Sequence, residues 1–218
     1  MSNNLYYSTV TPLLHSVLKT VMAANEFKEF RLVGGTALSL YKGHRKSVDI
    51  DLFTDAEYRS IDFEAIDTFL RSHYLYVDTS KDNIISFGKS YFVGESPENS
   101  IKLDVFYTDA FIDDCIVIDN IRLASVEEII AMKLDVISRG GRKKDFWDIH
   151  ELMNEYSIFE MFSLHEKRYP YGHNQSLLKS NFQNFATADN DFDPICLKGK
   201  YWELIKLDTF EFADKISD

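Results

Sequence analysis

The segment LVGGTALSLYKGHRKSVDIDLFTD, residues 32–55, decides the fold of this chain. An apolar run leads into a turn formed by Gly34, Gly35 and Thr36, and an apolar helical stretch comes next. The segment then passes through a short run of basic residues and ends in VDIDLF, whose alternation is typical of a strand. The pattern predicts a strand, a tight turn, a helix and a second strand in close succession.

The turn lies where the helix is expected to begin. The first N–H groups of a helix have no partner inside it and attract phosphate. The Thr36 hydroxyl would add one more donor. A pair of glycines is also common in ordinary tight turns, so this motif gains meaning only from the acidic strand about fifteen residues downstream. We predict that Gly34, Gly35 and Thr36 bind the phosphates of a nucleotide.

Two carboxylates, Asp49 and Asp51, stand two residues apart on the second strand. Side chains at this spacing share one face of a strand, where like charges repel and a hard divalent cation is the usual way to hold them together. The alternative is a pair of exposed aspartates at a strand end. Ile50 and Leu52 favour an interior strand and therefore a site for Mg²⁺ or Mn²⁺.

A third carboxylate, Asp104, lies in the alternating sequence SIKLDVFY, residues 100–107. Its side chain is expected on the same face as Lys102 and opposite the apolar residues. Three carboxylates from two neighbouring strands can bind one or two metal ions, and Asp104 could also act as a general base. The alternative is a Lys–Asp alternation that faces solvent.

Further charged residues precede the second strand and come after the predicted sheet. Arg45 could contact phosphate or anchor the aspartate pair. Lys133 lies on an otherwise apolar helix and needs a partner, either a nucleotide phosphate or a structural ion pair. Asp145 and Asp148 share one side of the next helix and could orient Lys133 or Arg139, or contact base and ribose. A surface salt-bridge network is the alternative.

Composition limits the classes of function. The chain has 218 residues, a net charge of -11 and two distant cysteines. This charge argues against a broad surface that binds nucleic acid, but it does not exclude a local basic groove. The cysteines are typical of a reducing compartment, and we expect a cytoplasmic protein that does not associate with membranes.

The chain is expected to have two domains. We predict a catalytic core over residues 1–124 and a helical domain over residues 125–218 that completes the active-site cleft.

Periodicity predicts the individual elements. The predicted helices cover residues 10–30, 37–43, 63–73, 125–139, 143–156, 176–185 and 200–214. The predicted strands cover residues 30–33, 48–53, 83–87, 90–93, 100–107, 116–118 and 121–123. Ser125 and Glu128 form a capping-box pattern at the start of the fourth of these helices. Together these elements predict an α+β chain with a helical C-terminal region.

Three linked segments, GGTALSLYKGHRKSVDIDLF, IKLDVF and AMKLDVISRGGRKKDFWDIHEL, resemble the AbiEii/AbiGii abortive-infection nucleotidyltransferases. The resemblance implies the DNA polymerase β-like fold, a mixed sheet flanked by helices with a C-terminal helical domain. It also implies an NTP substrate, a Mg²⁺ cofactor and, for several members, a toxin of a bacterial type IV toxin–antitoxin system with a cognate antitoxin. By position, the resemblance assigns Gly34, Gly35 and Thr36 to phosphate binding, and the aspartate pair and Asp104 to metal binding. It also places Lys133, Arg139, Asp145 and Asp148 on the downstream K…R…KD…D pattern of the family.

The activity expected from these residues is transfer of NMP from an NTP to an acceptor hydroxyl. Candidate acceptors are a tRNA 3′ end, a protein side chain and a small molecule. Two alternatives stay open: a non-catalytic module that binds a nucleotide or an antitoxin, and a resistance-type enzyme that modifies a cationic small molecule such as an aminoglycoside.

Overall fold

The computed structural model describes residues 4–79 and 87–216. The chain divides into two compact units. Unit 1 comprises Met1–Tyr41 and Ser47–Ala124, and unit 2 comprises Lys42–Lys46 and Ser125–Asp218. One boundary between the two units falls after Ala124. The short segment Lys42–Lys46, which the sequence placed with the catalytic core, groups with unit 2.

Unit 1 contains one mixed sheet, with seven strands in the residues that the structure describes. The strands are β1 (Arg31–Leu32), β2 (Asp49–Thr54), β3 (Tyr76–Thr79), β4 (Gly88–Gly94), β5 (Ser100–Tyr107), β6 (Ile116–Ile118) and β7 (Ile121–Leu123). Their order is β3-β4-β5-β2-β1-β7-β6. The pairs β2–β5 and β1–β7 are parallel and the others antiparallel.

In the described residues, three α-helices accompany this sheet: α1 (Pro12–Ala23), α2 (Gly34–Lys42) and α3 (Phe63–His73). The predicted α+β class with a mixed sheet is thereby confirmed. Helix α1 packs on β2, β5 and β7 and contributes a fully buried apolar stripe to the core. From the sheet, Ile50, Leu52, Leu103 and Val105 are also fully buried. Each such side chain stabilises the fold by about 1.5–3 kcal/mol relative to an exposed one.

The helix predicted over residues 10–30 is too long. It begins after Thr11, whose side chain accepts from the backbone N–H of Leu14, and it ends at Ala23. Ala24 has an extended backbone, and the next residues form a short 3-10 turn that places Phe27 beside Phe30. The chain must extend into strand β1 at Arg31, so the helix cannot continue through residue 30.

The sheet differs from the prediction around β4. The strand predicted over residues 83–87 lies almost entirely outside the described residues. Strand β4 instead pairs with β3, which the sequence did not predict because YVDT, residues 76–79, does not alternate between apolar and polar residues. The predicted hairpin of β6 and β7 is present, and Asp119 and Asn120 adopt the positive φ that such two-residue turns require.

Unit 2 is helical and contains α4 (Val126–Ile137), α5 (Lys143–Leu152), α6 (Ile158–Arg168), α7 (Gln175–Phe182) and α8 (Trp202–Asp214). Helix α4 packs on α6, and α5 packs on α8. The rings of Phe146, Phe182, Phe185 and Trp202 form its aromatic core. Within the described part of the chain, no helix has the length and apolar character that crossing a bilayer requires.

Two helix starts in unit 2 show how caps decide local structure. Ser125 accepts from the backbone N–H of Glu128 as predicted, and the buried Glu128 side chain pairs with Arg168. Ser157 and Glu160 form a complete capping box at the start of α6. The sequence contained this second signal, yet α6 was not predicted.

Candidate functional site

The open face of β2 and β5 carries the predicted carboxylates. The two strands are parallel, with Asp49 paired to Lys102 and Asp51 paired to Asp104. Residues that pair directly point to the same face. Their neighbours in sequence are buried on the opposite face, whereas these four side chains are partly or fully exposed. The structure thus brings three carboxylates and one ammonium together on one small area of the sheet.

Helix α2 begins at Gly34, close to one of these carboxylates. The backbone N–H of Val33 donates to the carbonyl of Asp51 over 2.9 Å, which fixes the turn against β2. Gly34 has a φ of +68°, and a Cβ at this position would lie 2.8 Å from Oδ2 of Asp51. Glycine therefore permits the carboxylate to approach the positive end of the helix, where negative charge is favoured.

A Gly34→Ala variant separates backbone strain from this close approach. Alanine at positive φ costs about 1–2 kcal/mol of stability, and here it would also displace the Asp51 carboxylate. We expect this loss in urea unfolding, together with NTP binding that is weaker by about tenfold. Gly199→Ala is the matched control, since Gly199 also has a φ of +68° but open space around it. Equal NTP binding in the two variants would contradict the assignment.

The Thr36 hydroxyl has a different neighbour from the one predicted. Thr36 is fully buried, donates to the carbonyl of Asp49 and lies 2.7 Å from the hydroxyl of Ser47. Because a hydroxyl has a single proton, it cannot also donate to phosphate in this arrangement. Thr36 therefore anchors the start of β2. Ser47, its partner, was not among the predicted site residues, because no periodic pattern links the two.

Asp104 is the most unusual carboxylate of the group. Its Oδ2 lies 2.5 Å from Nζ of Lys102, whose side chain is 44% exposed. Its Oδ1 is buried and has no hydrogen-bond partner among the described residues. An unsatisfied buried carboxylate oxygen is costly, and natural proteins retain one chiefly where function requires it.

Asp49, Asp51 and Asp104 fit a divalent metal whose coordination a bound nucleotide would complete. Within the described residues, no three His, Cys, Asp or Glu side chains form a ready-made metal cluster, so the three aspartates are not preassembled as a cage. Mg²⁺ typically takes only one or two protein carboxylates and completes its shell with phosphate and water. The unsatisfied oxygen of Asp104 and the placement of Asp51 beside Gly34 match that requirement.

Four of the five other predicted site residues meet inside unit 2, namely Arg45, Lys133, Asp145 and Asp148. Nζ of Lys133 lies 2.6 Å from Oδ1 of Asp145 and 2.6 Å from Oδ2 of Asp148. Arg45 donates to both oxygens of Asp148 over 2.6 and 2.8 Å. Nε2 of His44 is 2.7 Å from the same carboxylate. All five residues are buried, so we call this set the buried charge cluster.

The cluster shifts the pKa values of Asp148, Asp145 and Lys133. Burial alone raises the pKa of the Asp148 carboxyl, but Arg45 and Lys133 outweigh it and hold that pKa well below its ordinary value. The pKa of Asp145 is lowered in the same way by Lys133 and Arg142 despite its burial. Burial lowers the pKa of Lys133, and the two carboxylates more than reverse this. Lys133, Asp145 and Asp148 are therefore all charged at neutral pH.

Arg139 lies apart from this cluster, as an exposed residue paired with Asp135 over 2.7 Å. Asp145 and Asp148 were expected to orient Lys133 or Arg139, and in the structure both contact Lys133. His44 was not predicted to take part, and its position beside Arg45 in the basic run is the only signal in the sequence.

A cavity of about 650 Å³ opens in unit 1 at the start of the strands that bear the carboxylates. Val48 and Ser100, which line it, directly precede Asp49 and Ile101 in the chain. Glu95, Thr11, Ser16 and Asn99 supply its polar lining. The described residues around it include no Lys or Arg.

Comparison with known proteins assigns the family. The sequence profile of the family described as "Nucleotidyl transferase AbiEii toxin, Type IV TA system" matches residues 16–214. The chain therefore belongs to the AbiEii family of nucleotidyltransferase toxins, and the prediction of an enzyme of this class is confirmed. This membership covers both units and associates the chain with a toxin role.

Individual relatives agree with this assignment. An uncharacterized protein of Aquifex aeolicus (strain VF5) is 31% identical over 166 residues, which are 70% of this chain and 72% of that protein. The structure of JHP933 from Helicobacter pylori has a TM-score of 0.56 at 21% identity and covers 93% of this chain and 88% of its own. The toxin MenT4 from Mycobacterium tuberculosis H37Rv has a TM-score of 0.58 at 13% identity and covers 94% and 84%. These two structures share the fold.

Proposed function

We propose that this protein transfers NMP from an NTP to an acceptor hydroxyl in a metal-dependent reaction. The site comprises the N-terminus of α2 at Gly34 and Gly35 and the carboxylates of Asp49, Asp51 and Asp104. One observation carries the proposal: paired strands place Asp51 and Asp104 side by side, and a buried oxygen of Asp104 has no hydrogen-bond partner among the described residues.

In the proposed reaction, the acceptor oxygen attacks the α-phosphorus of the NTP. The bond from this phosphorus to the bridging oxygen breaks, and pyrophosphate leaves with the bond electrons. Asp104 accepts the acceptor proton on Oδ2, the oxygen that Nζ of Lys102 contacts in the absence of nucleotide. The N–H groups at the start of α2 hold phosphate oxygens. When bound by the carboxylates, Mg²⁺ or Mn²⁺ would neutralise charge that develops on the phosphates.

The contacts of Lys133 bear on the two partners considered for it, a nucleotide phosphate and a structural ion pair. Its ammonium contacts Asp145 and Asp148, which supports the ion pair. A phosphate contact would require nucleotide oxygens to replace at least one of these carboxylates. We therefore propose that Lys133, Arg45 and Asp148 chiefly hold the segment Lys42–Lys46 within unit 2.

A transfer assay tests the proposed function. The wild-type protein is incubated with Mg²⁺ and each NTP labelled at the α-phosphate, together with total RNA, total protein or an aminoglycoside panel. We expect label to appear in one acceptor class, and no label to transfer from the same NTP labelled at the γ-phosphate. Absence of labelled product, combined with no metal-dependent NTP binding in calorimetry, would exclude the proposal.

A small-molecule acceptor is the second candidate, and the net charge of -11 favours it over RNA. An acidic protein attracts a cationic hydroxyl compound and repels a polyanion. Labelling confined to the aminoglycoside panel would favour this candidate, and labelling of RNA would favour a nucleic-acid acceptor.

A further inference from the structure

We propose that Lys102 is an internal counter-cation, which neutralises Asp104 in the nucleotide-free protein and transfers to a phosphate of the bound NTP. This inference rests on the proposed function, because it assigns a positioning role at the same site. Lys102 was not among the predicted site residues, and the sequence indicated only that it shares a face with Asp104.

The strand register places this lysine among the carboxylates. Lys102 pairs with Asp49 across β2 and β5, and it lies two residues before Asp104 on the same face. Its Nζ reaches Oδ2 of Asp104 at 2.5 Å. The ammonium thus occupies one oxygen of the carboxylate that we assign to the metal, while Oδ1 of Asp104 stays without a partner among the described residues.

The charges explain why a cation is needed there. Without Lys102, Asp49, Asp51 and Asp104 would bring three negative charges to adjacent positions of two paired strands. Like charges on neighbouring side chains repel one another. A single ammonium reduces that repulsion in the absence of metal. It therefore competes with any divalent cation that binds Asp104.

The same contact can be released at little cost. The Lys102 side chain is 44% exposed and flexible, and exposed ion pairs contribute little to stability. An ammonium that leaves Asp104 stays tethered on the open face. There a triphosphate held at the N-terminus of α2 would offer it charged oxygen acceptors. Lys102 should therefore weaken binding of metal alone and strengthen binding of metal with nucleotide.

These opposite effects are measured with Lys102→Met. Mn²⁺ alone is titrated and followed by electron paramagnetic resonance, and its dissociation constant should fall about two- to fivefold. In saturating Mn²⁺, α,β-methylene analogues of the four NTPs are titrated by calorimetry, and the tightest should bind about tenfold more weakly. Lys102→Arg retains the charge and should behave like the wild-type protein in the Mn²⁺ titration.

Lys19→Met serves as the matched control, since it removes one exposed lysine from unit 1 at α1 and should change neither constant. Thermal unfolding of each variant verifies that the fold is retained. If the wild-type protein binds neither Mn²⁺ nor nucleotide, the proposed function itself fails. If the wild-type protein binds both, and Lys102→Met changes neither constant or weakens Mn²⁺ binding, the role of Lys102 is excluded and the proposed function stands.

Discussion

Asp51→Asn should reduce nucleotidyl transfer by about 1,000-fold or more and leave the fold intact. Asp51 is paired with Asp104 across two strands, and its carboxylate lies beside the first residue of α2. The amide keeps the shape of the side chain and removes the charge that a divalent cation requires. Loss of several kcal/mol of transition-state stabilisation corresponds to a rate effect of about this size.

The α-label transfer assay measures this loss, and urea unfolding measures the stability. Asp114→Asn is the matched control, because Asp114 is an exposed aspartate of unit 1 that lies outside the site. It should keep the wild-type rate. Wild-type activity in Asp51→Asn would remove this residue from the site, whereas loss of activity accompanied by unfolding would show a structural role instead.

Asp148→Asn should destabilise the protein by about 3–5 kcal/mol. The substitution leaves Lys133 and Arg45 buried with one fewer carboxylate to balance them, and removal of one partner from a buried ion pair has a cost of this size. His44 would also lose its ionised partner. Urea unfolding followed by circular dichroism gives the change in the free energy of unfolding.

Two comparisons make this prediction specific. Glu155→Gln removes a carboxylate of the same unit that pairs with Lys42 at the surface, and it should change stability by less than about 1 kcal/mol. The double variant Asp148→Asn with Lys133→Met removes one charge of each sign, so it should lose less stability than the two single variants summed. Additive losses would show that the two side chains do not interact.

Local sequence patterns predicted β5, α3, and the hairpin of β6 and β7 with the bounds that the structure has. They also indicated that Asp49 and Asp51 would share a face, because a strand repeats every two residues. The register that sets Asp51 beside Asp104 is a property of the paired strands, and the sequence alone does not contain it. The contact of Lys102 with Asp104 and the unsatisfied oxygen depend on that register.

The buried charge cluster could be predicted from the sequence only in part. Lys133, Asp145 and Asp148 were recognised as charged residues near one another in sequence, and a structural ion pair was one of the alternatives. Their partner Arg45 stands far earlier in the chain, and its separation from Asp148 is 103 residues. No helical or strand periodicity reaches that far, so the depth of burial and the partner could be learned only from the folded chain.

The segment Lys42–Lys46 has a consequence for how this protein can be divided. The chain leaves unit 1 after Tyr41, contributes five residues to unit 2, and returns to unit 1 at Ser47, just before Asp49. A fragment cut after Ala124 would retain Arg45 and His44 but lose Asp148, the carboxylate that both side chains contact. The helical unit is thus no detachable module, and exchanging it between relatives would require exchanging these five residues with it.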